Sequence, residues 1–348
     1  MARPMTVVIA QCSRRDRAMK ALQLTTYGAA TSENVGLVDI PATDPGDGQV
    51  VVAMDVAPIN PSDLLLIAGR YGYRPTLPAI LGAEGVGRIV AVGAGVDAGR
   101  IGEQVLVLPT LTDTTWREQT VIDATTAIAV DGDPAQLAML GINPMTAWAM
   151  LHGFTDLEPG AWVAQTGASS ATAGYVRTLA RRAGFRLLDI VRRPESATAL
   201  RDSGADVVLV DGPDIAAEVR KALGRDTVDL LIDGVGGPTT TALASRMSVG
   251  GTIISYTSRG GQPVSIDIPN LIFRGLVVRG FWLKHWQDSL PPDTVAQHYR
   301  ELAALVADGT LHASIDATYP LTEFDAALAH AARRDRTGKV LFAIGDHR

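Results

Sequence analysis

The chain has 348 residues, of which 47% are hydrophobic and 20% are charged, and its formal net charge is −6. This length and balance predict a globular protein of one large or two ordinary domains, and the negative charge argues against nucleic-acid or anionic-membrane partners. No apolar run is long enough to cross a bilayer, and the single cysteine, Cys12, excludes an internal disulfide and a multi-cysteine metal cluster, so we expect a cytoplasmic location.

Residues 1–18 fit poorly with the pattern that follows, because Met19 opens a new apolar run, MKALQL. The apolar piece from Val7 to Ala10 is too short for a secretory core, and no small-residue cleavage site follows it. We interpret residues 1–18 as an N-terminal extension without an assigned function. A cleaved transit peptide is the alternative.

From Met19 to about Val130 the sequence consists of short β-like runs, such as QVVVAMDVAPI and EQVLVLPT, separated by Gly, Pro and Asp. Runs of this length and spacing predict a compact β-barrel-like domain. We place this domain at residues 19–140. The strand-like segment TGKVLFAI near the C-terminus predicts that residues 287–348 return to the same domain.

Strands and helices alternate from Trp162 to about Tyr256. The apolar segments VAQ, LLDIV, DVVLV, VDLLIDGV and GGTIISY are the predicted strands, and helical segments such as DIAAEVRKALG lie between them. This alternation predicts a parallel doubly wound sheet within residues 141–286. The strands are almost entirely apolar, which indicates that both faces of the sheet are covered. The predicted fold class is therefore α/β, with a β-barrel-like domain accompanying the sheet.

The stretch from Ala161 to Gly184 has the order strand, small-residue turn and helix, and a second strand follows it. In a dinucleotide-binding fold such a turn lets a diphosphate approach the backbone N–H groups at the helix N-terminus, where the helix dipole favours an anion. The usual G-x-G-x-x-G pattern is incomplete, and each added Cβ restricts φ, so we expect weaker dinucleotide binding. An ordinary strand–helix turn is the alternative interpretation. The residues assigned to the cofactor here are Ser169, Ser170, Ala171 and Thr172.

The second strand of this unit ends in Arg192 and Arg193. Folds that bind NAD usually place an acidic residue at this point to hold the ribose hydroxyls, whereas arginine accommodates a 2′-phosphate. The pair therefore predicts NADPH as the cofactor. Asp189 is the competing candidate, but it lies inside the strand. The alternative for the two arginines is solvated surface charge.

Four further stretches match the sequence pattern of a single protein family. They are APINPSD at 57–63, IAGRYG at 67–72, GINPMTAWAML at 141–151 and IFRGLVVRGFWLKHW at 272–286. From Met19 onward the chain resembles the medium-chain dehydrogenase/reductase superfamily, in which a GroES-like barrel accompanies a Rossmann domain. It looks like the zinc-independent, mitochondrial-type 2-enoyl thioester (enoyl-CoA/ACP) reductases, with quinone oxidoreductases as close relatives. The resemblance also implies a homodimer, formed through the strands around Val277 to Leu283.

The same resemblance indicates that no metal is expected. Zinc-using members of the superfamily place a cysteine ligand where this chain has Asn60 and a histidine ligand where it has Ala83. An amide and a methyl group cannot replace thiolate and imidazole. Without a Lewis acid, reduction of an already polarised double bond is favoured over alcohol oxidation.

The resemblance assigns roles to individual residues. Tyr71 matches the active-site tyrosine of a G-x-Y-G element, and a phenol, which is protonated at neutral pH, could protonate the substrate α-carbon directly or through water. Asn60 would orient the substrate or the nicotinamide, and Trp282 would wall the nicotinamide pocket. A purely structural role is the alternative for each of the three, and Tyr73 is a neighbouring candidate for Tyr71. The further cofactor contacts implied are Asn143, Thr146, Tyr256, Ser258, Phe281 and Lys339.

The predicted activity is the NADPH-dependent reduction of the C=C bond of a 2-enoyl thioester. The expected partner is thus a small molecule, with no nucleic acid or membrane. One alternative is an NADPH-dependent reductase of quinones or other activated alkenes on the same scaffold. Another is a non-catalytic protein that kept the fold and lost the cofactor, since fold alone does not give function.

Overall fold

The computed structural model of the protein describes residues 18–203, 205–257, 261–333 and 335–345. The chain divides into two compact units, the first comprising Met1–Ala138 with Ile315–Arg348 and the second comprising Met139–Ser314. The predicted N-terminal extension lies outside the described residues, except for Ala18, which begins the first strand.

The elements are as follows. The first unit begins with β1 Ala18–Leu24, β2 Val35–Pro41, β3 Gln49–Ile59, α1 Pro61–Ile67, β4 Ala79–Ile80, β5 Gly85–Val92, β6 Gln104–Val107, β7 Gln119–Asp123, β8 Ile128–Ala129 and α2 Pro134–Leu137. The second unit contains α3 Asn143–His152, β9 Trp162–Thr166, α4 Ala171–Arg182, β10 Arg186–Val191, α5 Pro194–Asp202, β11 Val207–Val210, α6 Ile215–Leu223, β12 Val228–Asp233, α7 Gly237–Ala244, β13 Met247–Ser255, α8 Ile268–Phe273, β14 Val277–Gly280, α9 Leu283–Asp288 and α10 Pro292–Ala307. The first unit is completed by β15 Ile315–Pro320, α11 Phe324–Ala332 and β16 Lys339–Ala343.

The first unit is built from two β-sheets, as the broken β pattern predicts. One sheet has the order β2-β1-β4, and the other runs β15-β16-β3-β5-β6-β8, with β7 also pairing with β3. The long strand β3 is the centre of this unit because it pairs with β5, β7 and β16. In the antiparallel pairing of β16 with β3, Val340 lies opposite Ile59. This register brings the first residue of β16 next to the residue that follows β3.

The second unit contains a six-stranded sheet of order β11-β10-β9-β12-β13-β14, in which every pairing is parallel. All five predicted strands are present, and β9 is buried along its whole length, as expected for a strand covered on both faces. The strand order changes direction between β9 and β12. In doubly wound sheets, ligands bind outside the carboxyl ends of the strands at such a switch point. The α/β fold class is thereby confirmed.

The second unit extends further along the chain than residues 141–286. Helix α10 has an apolar face that includes Tyr299, Leu302 and Val306, all buried. The Tyr299 hydroxyl donates to the backbone carbonyl of Gly141 over 2.7 Å, which ties α10 to the start of the unit. The chain therefore returns to the first unit at Ile315, later than the expected position at residue 287, because the face of α10 is buried here.

No helix among the described residues is both long enough and apolar enough to cross a membrane.

Candidate functional site

The carboxyl edge of the parallel sheet gathers most of the residues predicted to bind a cofactor. The small-residue turn follows β9, the two arginines follow β10, and Tyr256 follows β13. Phe281 follows β14 and leads into Trp282, the residue before α9. Because all six strands are parallel, their carboxyl ends lie at one edge of the sheet. The order of the strands thus positions residues that are far apart in the chain.

The turn after β9 begins with Gly167, whose φ of +64° is a conformation that favours glycine. Ser170 is the N-cap of α4, and its hydroxyl accepts from the backbone N–H of Ala173 over 3.2 Å. Among the described residues, the backbone N–H groups of Ser169, Ala171 and Thr172 have no hydrogen-bond acceptor. Unpaired N–H groups at a helix N-terminus suit an anionic diphosphate.

The turn is also attached to α3. The Thr172 hydroxyl donates to Oδ1 of Asn143 over 2.8 Å, and both side chains are buried. Thr146 lies one turn further along α3 and is buried as well. The structure therefore brings Asn143 and Thr172 into direct contact, which makes α3 a support for the first turn of α4.

Arg192 and Arg193 are exposed at the end of β10. Within the described residues, neither guanidinium group forms a hydrogen bond or an ion pair. The rival residue, Asp189, is fully buried, and its carboxylate accepts from Gln165 Nε2 over 2.6 Å and from Arg177 Nε over 2.8 Å. A carboxylate enclosed in this way cannot reach a ribose hydroxyl. The end of β10 thus presents positive charge, which suits a 2′-phosphate.

The loop after β12 is held by Asp233, which accepts from the Thr166 hydroxyl over 2.7 Å and from the N–H of Gly236 over 3.1 Å. Tyr256 lies over this loop, since a Cβ placed on Gly234 would meet its hydroxyl at 3.3 Å. Tyr256 is therefore positioned at the same sheet edge as the turn after β9. Ser258, predicted to contact the cofactor, lies outside the described residues.

The two aromatic candidates at the end of β14 differ in burial. Phe281 is buried, and its N–H donates to the Ser255 carbonyl over 2.8 Å, which continues the pairing of β13 with β14. Trp282 is half-buried and packs edge-on against His285 at 4.6 Å between ring centroids. Trp282 is only partly buried, whereas Phe281 packs edge-on against Phe154.

The first unit holds a separate cluster of buried polar side chains. Lys339 Nζ donates to Oδ1 of Asn60, and Asn60 Nδ2 donates to Oε1 of Glu84 over 2.7 Å. All three residues are at most 3% exposed. An ammonium and a carboxylate thus bind the two ends of one amide, which fixes the orientation of that amide. The ammonium beside Asn60 also makes this place unsuited to a divalent cation, in agreement with the absence of thiolate and imidazole at Asn60 and Ala83.

Asp63 completes this cluster. Its carboxylate accepts from the backbone N–H of Asn60 over 2.7 Å and caps the first turn of α1. Burial raises the pKa of Asp63 to about 7, although the Asn60 N–H and the Lys339 charge act in the opposite direction. Burial therefore favours the protonated form of Asp63 relative to an exposed aspartate.

Tyr71 lies in the same unit, in the irregular segment that follows α1, and is half-buried. Tyr73 is two residues further along this segment and is half-buried too. Their burial is therefore no basis for choosing between the two tyrosines.

Glu84, Asp63 and Arg177 are among the residues of these sites that were not identified from the sequence. The spacing of Asn60 and Asp63 matches a capping pair at a helix start, which is a signal for Asp63. No local pattern identifies Glu84 or Arg177, because each meets its partners through tertiary packing.

Two family models match the chain, the alcohol dehydrogenase GroES-like domain over residues 46–151 and zinc-binding dehydrogenase over residues 203–341. The mitochondrial enoyl-[acyl-carrier-protein] reductase of Rattus norvegicus is 36% identical over 287 residues, which are 80% of this chain and 76% of that protein. A Bacillus thuringiensis protein assigned as an NADPH:quinone reductase has a TM-score of 0.85 at 27% identity and covers 94% of this chain and 100% of its own. The structure of Etr1p with NADP and crotonyl-CoA has a TM-score of 0.80 at 22% identity, with coverage of 94% and 100%, and shows a shared fold.

Proposed function

Since the chain belongs to the medium-chain dehydrogenase/reductase family, we propose that it reduces the C=C bond of a 2-enoyl thioester with NADPH. The observation that carries this proposal is the 36% identity to rat enoyl-[acyl-carrier-protein] reductase over 287 residues. The residues at the carboxyl edge of the sheet are consistent with binding of the cofactor, and Tyr71 is consistent with protonation of the substrate.

The second unit fits the cofactor. The N–H groups of Ser169, Ala171 and Thr172 would bind the diphosphate, and the guanidinium groups of Arg192 and Arg193 would bind the 2′-phosphate. Small side chains in the turn leave the backbone approachable, and the Ser170 hydroxyl is already used by the helix. The altered turn therefore keeps the backbone donors that a glycine-rich turn would offer.

NADPH, when bound, supplies a hydride to the β-carbon of the enoyl thioester. The electron pair of the C=C bond then moves toward the thioester oxygen, and the α-carbon of the resulting enolate takes up a proton. Tyr71 is the proposed proton donor, because a phenol is protonated at neutral pH and can be replenished from solvent. Asn60 is 2% exposed and its amide is held at both ends by Lys339 and Glu84, so the predicted contact of Asn60 with the substrate or the nicotinamide is not part of this proposal.

The experiment that tests this function measures NADPH oxidation by the purified protein with crotonyl-CoA and, separately, with 1,4-benzoquinone. We expect turnover with crotonyl-CoA and a saturated acyl product. The likeness to the Bacillus thuringiensis protein supports quinone reduction as the second candidate. A preference for the quinone would replace the first candidate by the second, and no oxidation with either would favour a non-catalytic role.

We also propose that the protein is a homodimer formed through β14. This strand ends the six-stranded sheet and all four of its residues are exposed. Helix α8 presents the apolar side chains of Ile268, Ile272 and Phe273, the last 82% exposed. A bare sheet edge beside an apolar patch is typical of an interaction surface.

Light scattering during gel filtration tests the homodimer. We expect the wild type to have twice the mass of the chain and Val278→Lys, which places a charge on the edge strand, to be monomeric. The control Ile101→Lys changes an exposed apolar residue of the first unit and should stay dimeric. A monomeric wild type would contradict the proposal.

A further inference from the structure

A buried ion pair lies directly beneath the turn that follows β9. Arg177 is in the second turn of α4, with its side chain 12% exposed, and its Nε donates to Oδ2 of the fully buried Asp189 over 2.8 Å. Its Nη2 donates to the backbone carbonyl of Ala168 over 2.9 Å. One guanidinium group therefore joins strand β10 to the middle of the turn.

The backbone of Ala168 is fixed from two directions. Its N–H donates to the carbonyl of Ile190 over 3.1 Å, and its carbonyl accepts from Arg177. The other carboxylate oxygen of Asp189 accepts from Gln165 Nε2, which also donates to the carbonyl of Ala173. The network thus connects β9, the turn, α4 and β10.

Stability does not account for this arrangement, because buried ion pairs contribute little compared with apolar residues of similar size. The arrangement does fix the direction of one peptide group. In a planar trans peptide the carbonyl and the following N–H point in opposite directions. When the Ala168 carbonyl is turned inward to Arg177, the Ser169 N–H must point away from Arg177. Ser169 is exposed, and its N–H has no acceptor among the described residues.

We propose that Arg177 is a positioning residue for NADPH, holding the Ala168–Ser169 peptide so that the Ser169 N–H faces the diphosphate. This inference rests on the proposed use of NADPH. Lysine cannot replace Arg177, because a single ammonium does not span a carboxylate and a carbonyl in one plane.

The test measures binding, using fluorescence titration with NADPH and calorimetry with adenosine 2′-monophosphate, which carries the 2′-phosphate and no diphosphate. The variant is Arg177→Met combined with Asp189→Asn, so that no carboxylate stays buried without a cation. We expect its Kd for NADPH to rise roughly tenfold while its Kd for adenosine 2′-monophosphate stays within about twofold of wild type. Arg177→Lys should weaken NADPH in the same direction.

The matched control is Arg181→Met, one helical turn further along α4 and exposed, which should bind both ligands as the wild type does. Equal weakening of both ligands with a lowered Tm would show a structural role and overturn the proposal. Unchanged NADPH binding in the double variant would overturn it and leave the proposed function standing. A wild type that does not bind NADPH would remove the proposed function and this inference together.

Discussion

The turn after β9 in the second unit and the buried cluster of the first unit present polar groups in opposite ways. The turn offers backbone N–H groups, while the Ser170 hydroxyl is used within the helix. The cluster instead uses side-chain groups, with the amide of Asn60 held between an ammonium and a carboxylate. The turn is partly exposed, and the members of the cluster are at most 5% exposed.

This difference determines how each region responds to a changed sequence. Backbone groups are present whatever the side chain, so a turn can lose glycines and keep its donors, provided that its φ angles are allowed. A buried charge has no such tolerance, because removing one partner leaves the other without compensation. We therefore expect substitutions in the cluster to have much larger effects than substitutions in the turn.

The largest expected effect is that of Lys339→Met. The Lys339 ammonium donates to the buried Asn60 amide, and its charge acts on the buried Asp63, so its loss should lower the free energy of unfolding by about 3–5 kcal/mol. Urea denaturation measures this free energy of unfolding. The control Lys284→Met breaks an exposed pair with Asp288, and should change stability by less than about 1 kcal/mol. If Lys339→Met and Lys284→Met changed the free energy of unfolding by similar amounts, the expected difference between the buried cluster and the surface would be contradicted.

The pH dependence of stability is the next effect. The pKa of Asp63 is raised to about 7 in the folded protein, so the folded state binds more protons than the unfolded state between about pH 4 and pH 7. The free energy of unfolding should therefore fall as the pH rises through this range, by up to about 4 kcal/mol.

Denaturation of the wild type and of Asp63→Asn at pH 4.5, 6 and 8 measures how the free energy of unfolding of each protein changes with pH. The amide oxygen still accepts from the Asn60 N–H but does not titrate, so the variant should lack this fall. Asp47→Asn, at an exposed position, should follow the wild type. Parallel curves for Asp63→Asn and the wild type would contradict the raised pKa.

Replacing Tyr71 should have a smaller effect, which we expect on the rate of catalysis. Loss of the phenol in Tyr71→Phe removes the proposed proton donor, and kcat with crotonyl-CoA should fall by roughly tenfold or more. Tyr73→Phe is the matched variant in the same segment. If Tyr73→Phe lowers kcat and Tyr71→Phe leaves it at the wild-type value, the role of proton donor belongs to Tyr73 instead of Tyr71.

The smallest effects belong to the two glycines of the turn and its helix. Gly167 has a φ of +64°, so Gly167→Ala should cost about 1–2 kcal/mol. A Cβ on Gly174 would meet no atom within 4 Å, so Gly174→Ala should stabilise α4 by about 0.5–1 kcal/mol. Thermal unfolding measures both. Equal losses in both variants would mean that the turn is less tolerant than its backbone donors suggest.

The strands and the turn could be predicted because their signals are local. The apolar runs of β9, β10 and β12 and the small residues after β9 are read from neighbouring positions. The cluster could be predicted only in part, since Asn60 and Lys339 were named separately from a family resemblance. Their contact depends on the pairing of β16 with β3, which joins residues 279 positions apart. Glu84 and Arg177 were missed because only tertiary packing gives them partners.

The late return of the chain has a consequence for synthesis. The second unit is one continuous segment, complete once Ser314 has left the ribosome, whereas the first unit still lacks β16 at that stage. Asn60 is synthesised early, and its side-chain amide can accept from Lys339 only after residue 339 has been synthesised. Nascent chains should therefore acquire a folded nucleotide-binding half before the half that carries Tyr71 is finished, since domains fold as units during translation.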